Sequence, residues 1–206
     1  LGAAAIEDPD GLDRAVIAPT YADVKFTCFE GPAGLLNVIP HELVESYSST
    51  DLTLRVRTLS GKIAMIRGFT AEKPERLRGP QHADIWCDEL AAWQHPQETW
   101  DMALMGLRLG ARPRILWTTT PKPIDLVRRL AEPKPRRVLV RGSTYDNKDN
   151  LPQSFFDQIA SFEGTTIGRQ ELLGELVDPE ESGVIKRSWL RLWPAAKPLP
   201  AFDWIV

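Results

Sequence analysis

Residues 77–93 read LRGPQHADIWCDELAAW, and the centre of that stretch decides the fold: Ile85-Trp86-Cys87 running into Asp88-Glu89. Three apolar residues form a brief strand, and two adjacent carboxylates end it. In an open α/β sheet, ligands bind beyond the carboxyl ends of the strands. There one acid can hold a hydrated Mg²⁺, while its neighbour, directed the other way, polarises an attacking water. By themselves the two residues are better explained as a strand end passing into a helix start, where acids suit the helix dipole. The flanking residues sharpen the choice.

Downstream, Ile115-Leu116-Trp117 runs into Thr118-Thr119-Thr120-Pro121. Hydroxyls at a strand end beside the carboxylates can sense a terminal phosphate, and Pro121 keeps Thr120 extended. Threonine also simply favours strands and the turns after them. Upstream, Arg78 sits in the Gly/Pro loop Leu77-Arg78-Gly79-Pro80-Gln81. An arginine on such a loop can neutralise charge on a transferred phosphoryl group, an effect worth ~10³–10⁵ in rate where it operates; a solvated loop arginine is the commoner case. A phosphate-cradling loop is missing from the set. In the only Gly-Lys, Gly61-Lys62, Ile63 stands where Ser or Thr is required and Val56 where the first Gly should be. Gly61 reads instead as a hairpin turn.

The remaining pattern alternates strands and helices. Strands are expected at Arg14–Ala18, Leu52–Thr58, Lys62–Gly68, Ile85–Cys87, Arg114–Thr118 and Val138–Arg141. Helices are expected from Tyr21 to about Glu30, from Pro96 to about Leu109 with Gly110 as the stop, and over Ile124–Ala131. After Gly142 the strands cease, and Gln153–Phe162 and Thr166–Leu173 read as two helices. Trp193–Pro200 (WPAAKPLP) is linker-like, and Trp204-Ile205-Val206 resembles the first half of a buried strand. The expected organisation is therefore an α/β core over 1–142, a helical subdomain over 143–192 and a linker over 193–206, the whole being a segment of a longer protein.

Composition sets the outer bounds. The 206 residues carry 28 acidic and 25 basic side chains, a net charge of −3, so no overall basic field draws in nucleic acid. The basic residues of 128–141 lie among Glu132 and prolines, as an exposed turn does. Cys28 and Cys87 stand far apart, and His41, His82 and His95 lack metal-ligand spacing, so neither a disulfide framework nor a zinc site is expected. Reduced thiols suit a cytoplasmic protein. No apolar run approaches the ~18 residues of a membrane span.

Taken in order, the motifs are far more specific than singly. Leu77–Trp93, Pro96–Trp100 (PQETW), Gly106–Leu109 (GLRL), Trp117–Pro121 (WTTTP) and Arg141–Asn147 (RGSTYDN) closely resemble the large terminase subunits of tailed bacteriophages and prophages. The likeness extends to Gly168–Glu175 (GRQELLGE) and Ala18–Val24 (APTYADV), nearly the whole chain. It implies an α/β P-loop NTPase-like sheet of the RecA/ASCE type flanked by helices, lacking its first strand and phosphate loop, with a small helical lid.

It also implies roles. Ile85–Asp88 would be the Walker B strand, with Asp88 the Mg²⁺-associated carboxylate and Glu89 the catalytic base. Thr118, Thr119 and Thr120 would couple ATP hydrolysis to movement. Arg78 matches an arginine that reaches a neighbouring subunit's ATP. The implied function is Mg²⁺-dependent ATP hydrolysis that drives double-stranded DNA into a procapsid. The implied partners are DNA, the portal protein and procapsid, the small terminase subunit, and other copies of the chain in a ring on the capsid, in the bacterial cytoplasm. An RNase H-like nuclease domain would follow Val206, and residues 1–206 alone would be inactive. The alternatives are a helicase or translocase of the RecA-like superfamilies, whose motifs fall in similar order, and a non-catalytic DNA-binding fragment.

Overall fold

The computed structural model describes residues 1–177. In chain order the elements are α1 (Gly2–Ile6), β1 (Arg14–Ala18), a wide π-helix (Asp23–Phe29), α2 (Leu35–Val38), β2 (Val44–Ser48), β3 (Thr53–Arg57) and β4 (Ile63–Thr70). There follow β5 (Asp84–Cys87), α3 (Pro96–Gly106), β6 (Arg114–Trp117), α4 (Asp125–Ala131), α5 (Gln153–Ile159) and α6 (Thr166–Glu171). The strands form one sheet in the order β2-β3-β4-β1-β5-β6. β4, β1, β5 and β6 run parallel, whereas β2 and β3 are antiparallel additions on the β4 side.

β1 is fully buried because it lies mid-sheet with both faces covered. Val16 and Ala18 enter one apolar cluster, together with Val24, Phe29, Leu54 and Ile66. Ala15 and Ile17 enter the other, with Ile85, Leu90, Trp93 and Trp100. Gly68 of β4 lets the π-helix lie close on the first face, since a Cβ there would stand 2.5 Å from Val24 Cγ1 and 3.0 Å from Phe29 Cε2. That close approach brings Cys28, on the same helix, towards the end of β5.

The strands' amino ends are tied by charge. Asp84 at the start of β5 accepts from Arg14 Nε at 2.9 Å and from Arg114 Nε at 2.7 Å, so one carboxylate joins β1, β5 and β6. Arg14, almost wholly buried, also pairs with Asp8 at 3.0 Å and donates to the carbonyls of Ala4 and Leu12.

The β3–β4 hairpin closes as expected at Gly61, whose φ of +83° is a glycine conformation. Three details differ from the sequence reading. Val138–Arg141 is not a strand: it joins no ladder, and Val138 and Val140 are about 85% exposed. Its approach is bent by Pro133, Pro135 and left-handed Arg136, and the Arg137 guanidinium folds back on the carbonyls of Arg129, Leu130 and Glu132. α3 stops at Gly106 rather than near Leu109, because His82 O accepts the amides of Arg108 and Leu109 and draws that segment to the sheet. β2 was not anticipated, since VESYS lacks a clean apolar alternation.

Beyond residue 142 the described chain is helical. The expected Gln153–Phe162 helix is α5 followed by a 3₁₀ turn, and α6 is capped by the Thr165 hydroxyl on Gly168 N at 3.0 Å. The expected linker, the strand start at Trp204 and the end of the helical subdomain fall in 178–206, outside the described residues.

Candidate active site

At the carboxyl end of the parallel sheet, β1 and β5 hand their ladder on by one residue. Asp88 N donates to Ile17 O at 2.7 Å, and Thr118 N to Cys87 O at 2.9 Å. Asp88 and Thr118 therefore stand side by side at neighbouring strand ends. Thr118 Oγ1 donates to Asp88 Oδ1 at 2.7 Å. The other carboxylate oxygen, Oδ2, faces the Cys28 thiol at 3.8 Å. Burial, reinforced by the Asp88 charge, pushes the Cys28 thiol pKa up, so it remains a weak neutral donor.

After Asp88 the chain turns sharply. Glu89 adopts φ 45°, ψ 50°, a left-handed conformation that costs a non-glycine residue roughly 1–2 kcal/mol. Burial just downstream forces the turn: Leu90 and Trp93 both lie in the second apolar cluster. Leu90 N donates to Thr118 O at 3.1 Å and Ala91 N to Thr119 Oγ1 at 3.0 Å. The Trp93 indole Nε1 donates to Asp88 O at 2.9 Å. Glu89, exposed, receives Thr120 N on Oε2 at 3.5 Å.

Five of the six residues singled out in the sequence, Asp88, Glu89, Thr118, Thr119 and Thr120, thus meet in one hydrogen-bonded turn. Arg78 does not join them. It is exposed after the 3₁₀ turn Pro74–Leu77, and its side chain contacts none of these five among the described residues. Two members of the site escaped sequence reading. Cys28 looked like an isolated thiol, and nothing in the sequence singled out Trp93; only the turn's geometry reveals the indole's task.

Beside Thr119 and Thr120 opens a polar cleft of about 450 Å³, walled on its far side by Ser143, Thr144, Gln170 and Glu171. Gln170 Nε2 crosses to Pro121 O at 3.2 Å, tying α6 to the threonine stretch. No Lys or Arg pairs with Asp88 or Glu89 among the described residues, which leaves both acids open to an outside cation. Nor do three His, Cys, Asp or Glu side chains converge among the described residues. Mg²⁺ carried with a nucleotide needs only one or two carboxylates, its other positions filled by phosphate and water. Asp88 Oδ2, with only the Cys28 thiol beside it among the described residues, suits that demand.

Residues 14–192 match the family model for the N-terminal part of T4likevirus-type large terminase subunits. No curated protein matches the chain. Among solved structures, the chain is similar to an arginine-to-alanine variant of the Thermus phage P74-26 large terminase ATPase domain (18% identity, 81% of this chain, 78% of that one, TM-score 0.61). It is similar also to the large terminase of another thermophilic bacteriophage in complex with ADP (16% identity, 81% and 41%, TM-score 0.62). That second terminase with ATP-gamma-S gives 16% identity and a TM-score of 0.56. The chain spans about two fifths of the second terminase's length. The shared sheet fixes the fold as that of a terminase ATPase domain. No described helix is long and apolar enough to cross a membrane.

Proposed function

The chain belongs, through residues 14–192, to the large terminase subunits of the T4likevirus type, and from that premise we infer that it serves as the ATPase part of a DNA-packaging motor. One observation carries the reading: the acid pair and the threonine stretch form a single hydrogen-bonded unit at the strands' carboxyl ends. A merely structural strand end would not need two carboxylates that have no cationic partner among the described residues, one of them on strained backbone. The ADP and ATP-gamma-S complexes of the thermophilic phage terminase support a nucleotide as the ligand.

In this reading Asp88, fixed by Thr118 on Oδ1, would hold the nucleotide's Mg²⁺. When bound, that ion spreads the charge of the transferred phosphoryl oxygens. Glu89 orients the attacking water and accepts its proton as the new P–O bond forms and ADP departs. Thr119 and Thr120, bonded to the acid turn, sense that change, and the Pro121–Gln170 contact passes it to the helical segment. Arg78, exposed and away from its own acids, serves a neighbouring subunit's nucleotide. Double-stranded DNA is the cargo; the portal, procapsid, small terminase subunit and further copies of the chain complete the motor.

The test is Glu89→Gln in a large terminase that carries this chain. DNA-stimulated ATP hydrolysis should fall by about 100-fold or more while ATP is still bound. Unchanged hydrolysis would overturn the assignment.

A further inference from the structure

The peptide that joins Asp88 to Glu89 leads into the left-handed backbone from which the Glu89 carboxylate projects. Asp88 N is anchored before it, on Ile17 O, and Leu90 N after it, on Thr118 O. Neither bond fixes the plane of the peptide itself. A flip of this one plane would return Glu89 to negative φ and release the left-handed turn, leaving its backbone free to relax away from the conformation that keeps its carboxylate beside Thr120. Something must oppose that flip. Among the described residues, the donor that reaches the Asp88 carbonyl is the indole N–H of Trp93, at 2.9 Å. The ring is 5% exposed and packed in the second apolar cluster, so the donor cannot swing aside.

We propose that Trp93 is a positioning residue of the acid turn, its indole N–H holding the Asp88–Glu89 peptide so that Glu89 keeps its left-handed backbone and its carboxylate stays beside Thr120. The proposal rests on the ATPase reading above, in which Glu89 is the base. Trp93 is buried behind the turn and meets it through the Asp88 carbonyl. Its influence passes through one carbonyl, so its loss lowers the rate of the chemical step and leaves nucleotide affinity alone.

The variant Trp93→Phe keeps the ring and removes the donor. In a large terminase carrying this chain, kcat for ATP should fall about tenfold or more with KM unchanged within about twofold, since a small misplacement of a reacting group is costly. In a Glu89→Gln background the same substitution should have no further effect, because the group it aims is already gone. A normal kcat in Trp93→Phe, with Glu89→Gln inactive, overturns the positioning role and leaves the ATPase reading standing. Full activity in Glu89→Gln overturns both. Should Trp93→Phe not fold, the unaltered 206-residue chain decides. Its Trp93 indole proton, followed by NMR, should exchange at least about 100-fold more slowly than an exposed indole; rapid exchange overturns the proposal.

Discussion

At the scale of single residues, Glu89 shows fold and function pulling apart. Its side chain is exposed and buries nothing, yet its backbone sits at φ 45°. Glycine would adopt that conformation without the steric penalty. Glu89→Gly should therefore leave stability unchanged or raise it by about 1 kcal/mol in urea titration, while removing ATP turnover from any terminase that carries it. A clear loss of stability would mean that the carboxylate serves the fold. The acid pair and the threonines were legible in the sequence because the chemistry needs those residue types at strand ends. The left-handed turn was not, because nothing in Asp-Glu-Leu marks positive φ; the burial of Leu90 and Trp93 imposes it.

At the scale of elements, the two ends of the parallel strands have opposite characters. The carboxyl ends hold acids without a cationic partner among the described residues, whereas the amino ends are neutralised by Asp84 between Arg14 and Arg114. The two arginines differ in burial: the Arg14 side chain is 4% exposed and that of Arg114 67%. Removing the carboxylate leaves the buried Arg14 Nε without its acceptor, although Asp8 still neutralises the guanidinium, so Asp84→Ala should cost about 2–3 kcal/mol. Arg114→Ala should cost no more than about 1 kcal/mol, as exposed pairs contribute little. Urea denaturation of both variants checks the contrast, and equal losses would refute it. The apolar runs Ala15–Ala18 of β1 and Ile85–Cys87 of β5 could be read from sequence because burial on both faces demands such runs. Val138–Arg141 misled because apolar, β-branched residues specify a strand only where a neighbour supplies hydrogen bonds, and among the described residues none does. β2 was missed for the converse reason: VESYS is held by its pairing with β3, not by its own pattern.

At the scale of the whole molecule, the junction at the sheet's amino edge depends on a buried neutral histidine. His82 is 1% exposed, its ring nitrogens have no partner among the described residues, and it packs edge-on to Phe69 at 5.6 Å and against Gly106. Its backbone joins the start of β5 to the end of α3, so the ring cannot leave without loosening that junction. Burial, aided by the Arg67 charge, lowers its pKa from 6.5 to about 4. Between those values the unfolded chain binds a proton that the folded chain refuses, so stability is complete above pH 6.5 and declines as pH falls towards 4. From pH 7 to pH 5 the loss should be about 2 kcal/mol. His82→Leu removes the titrating group and should abolish that part of the acid loss, whatever it does to stability at pH 7. Burial opposes ionisation of Asp8, but hydrogen bonds from the amides of Asp10 and Leu12 outweigh it and lower its pKa, so it acts only at lower pH; the raised pKa of Asp13 and the lowered pKa of the Leu1 amino group are common to both proteins, so the difference between them isolates His82. Urea denaturation of both proteins at the two pH values checks this, and an identical acid loss in wild type and His82→Leu would show that His82 takes up its proton without disturbing the fold.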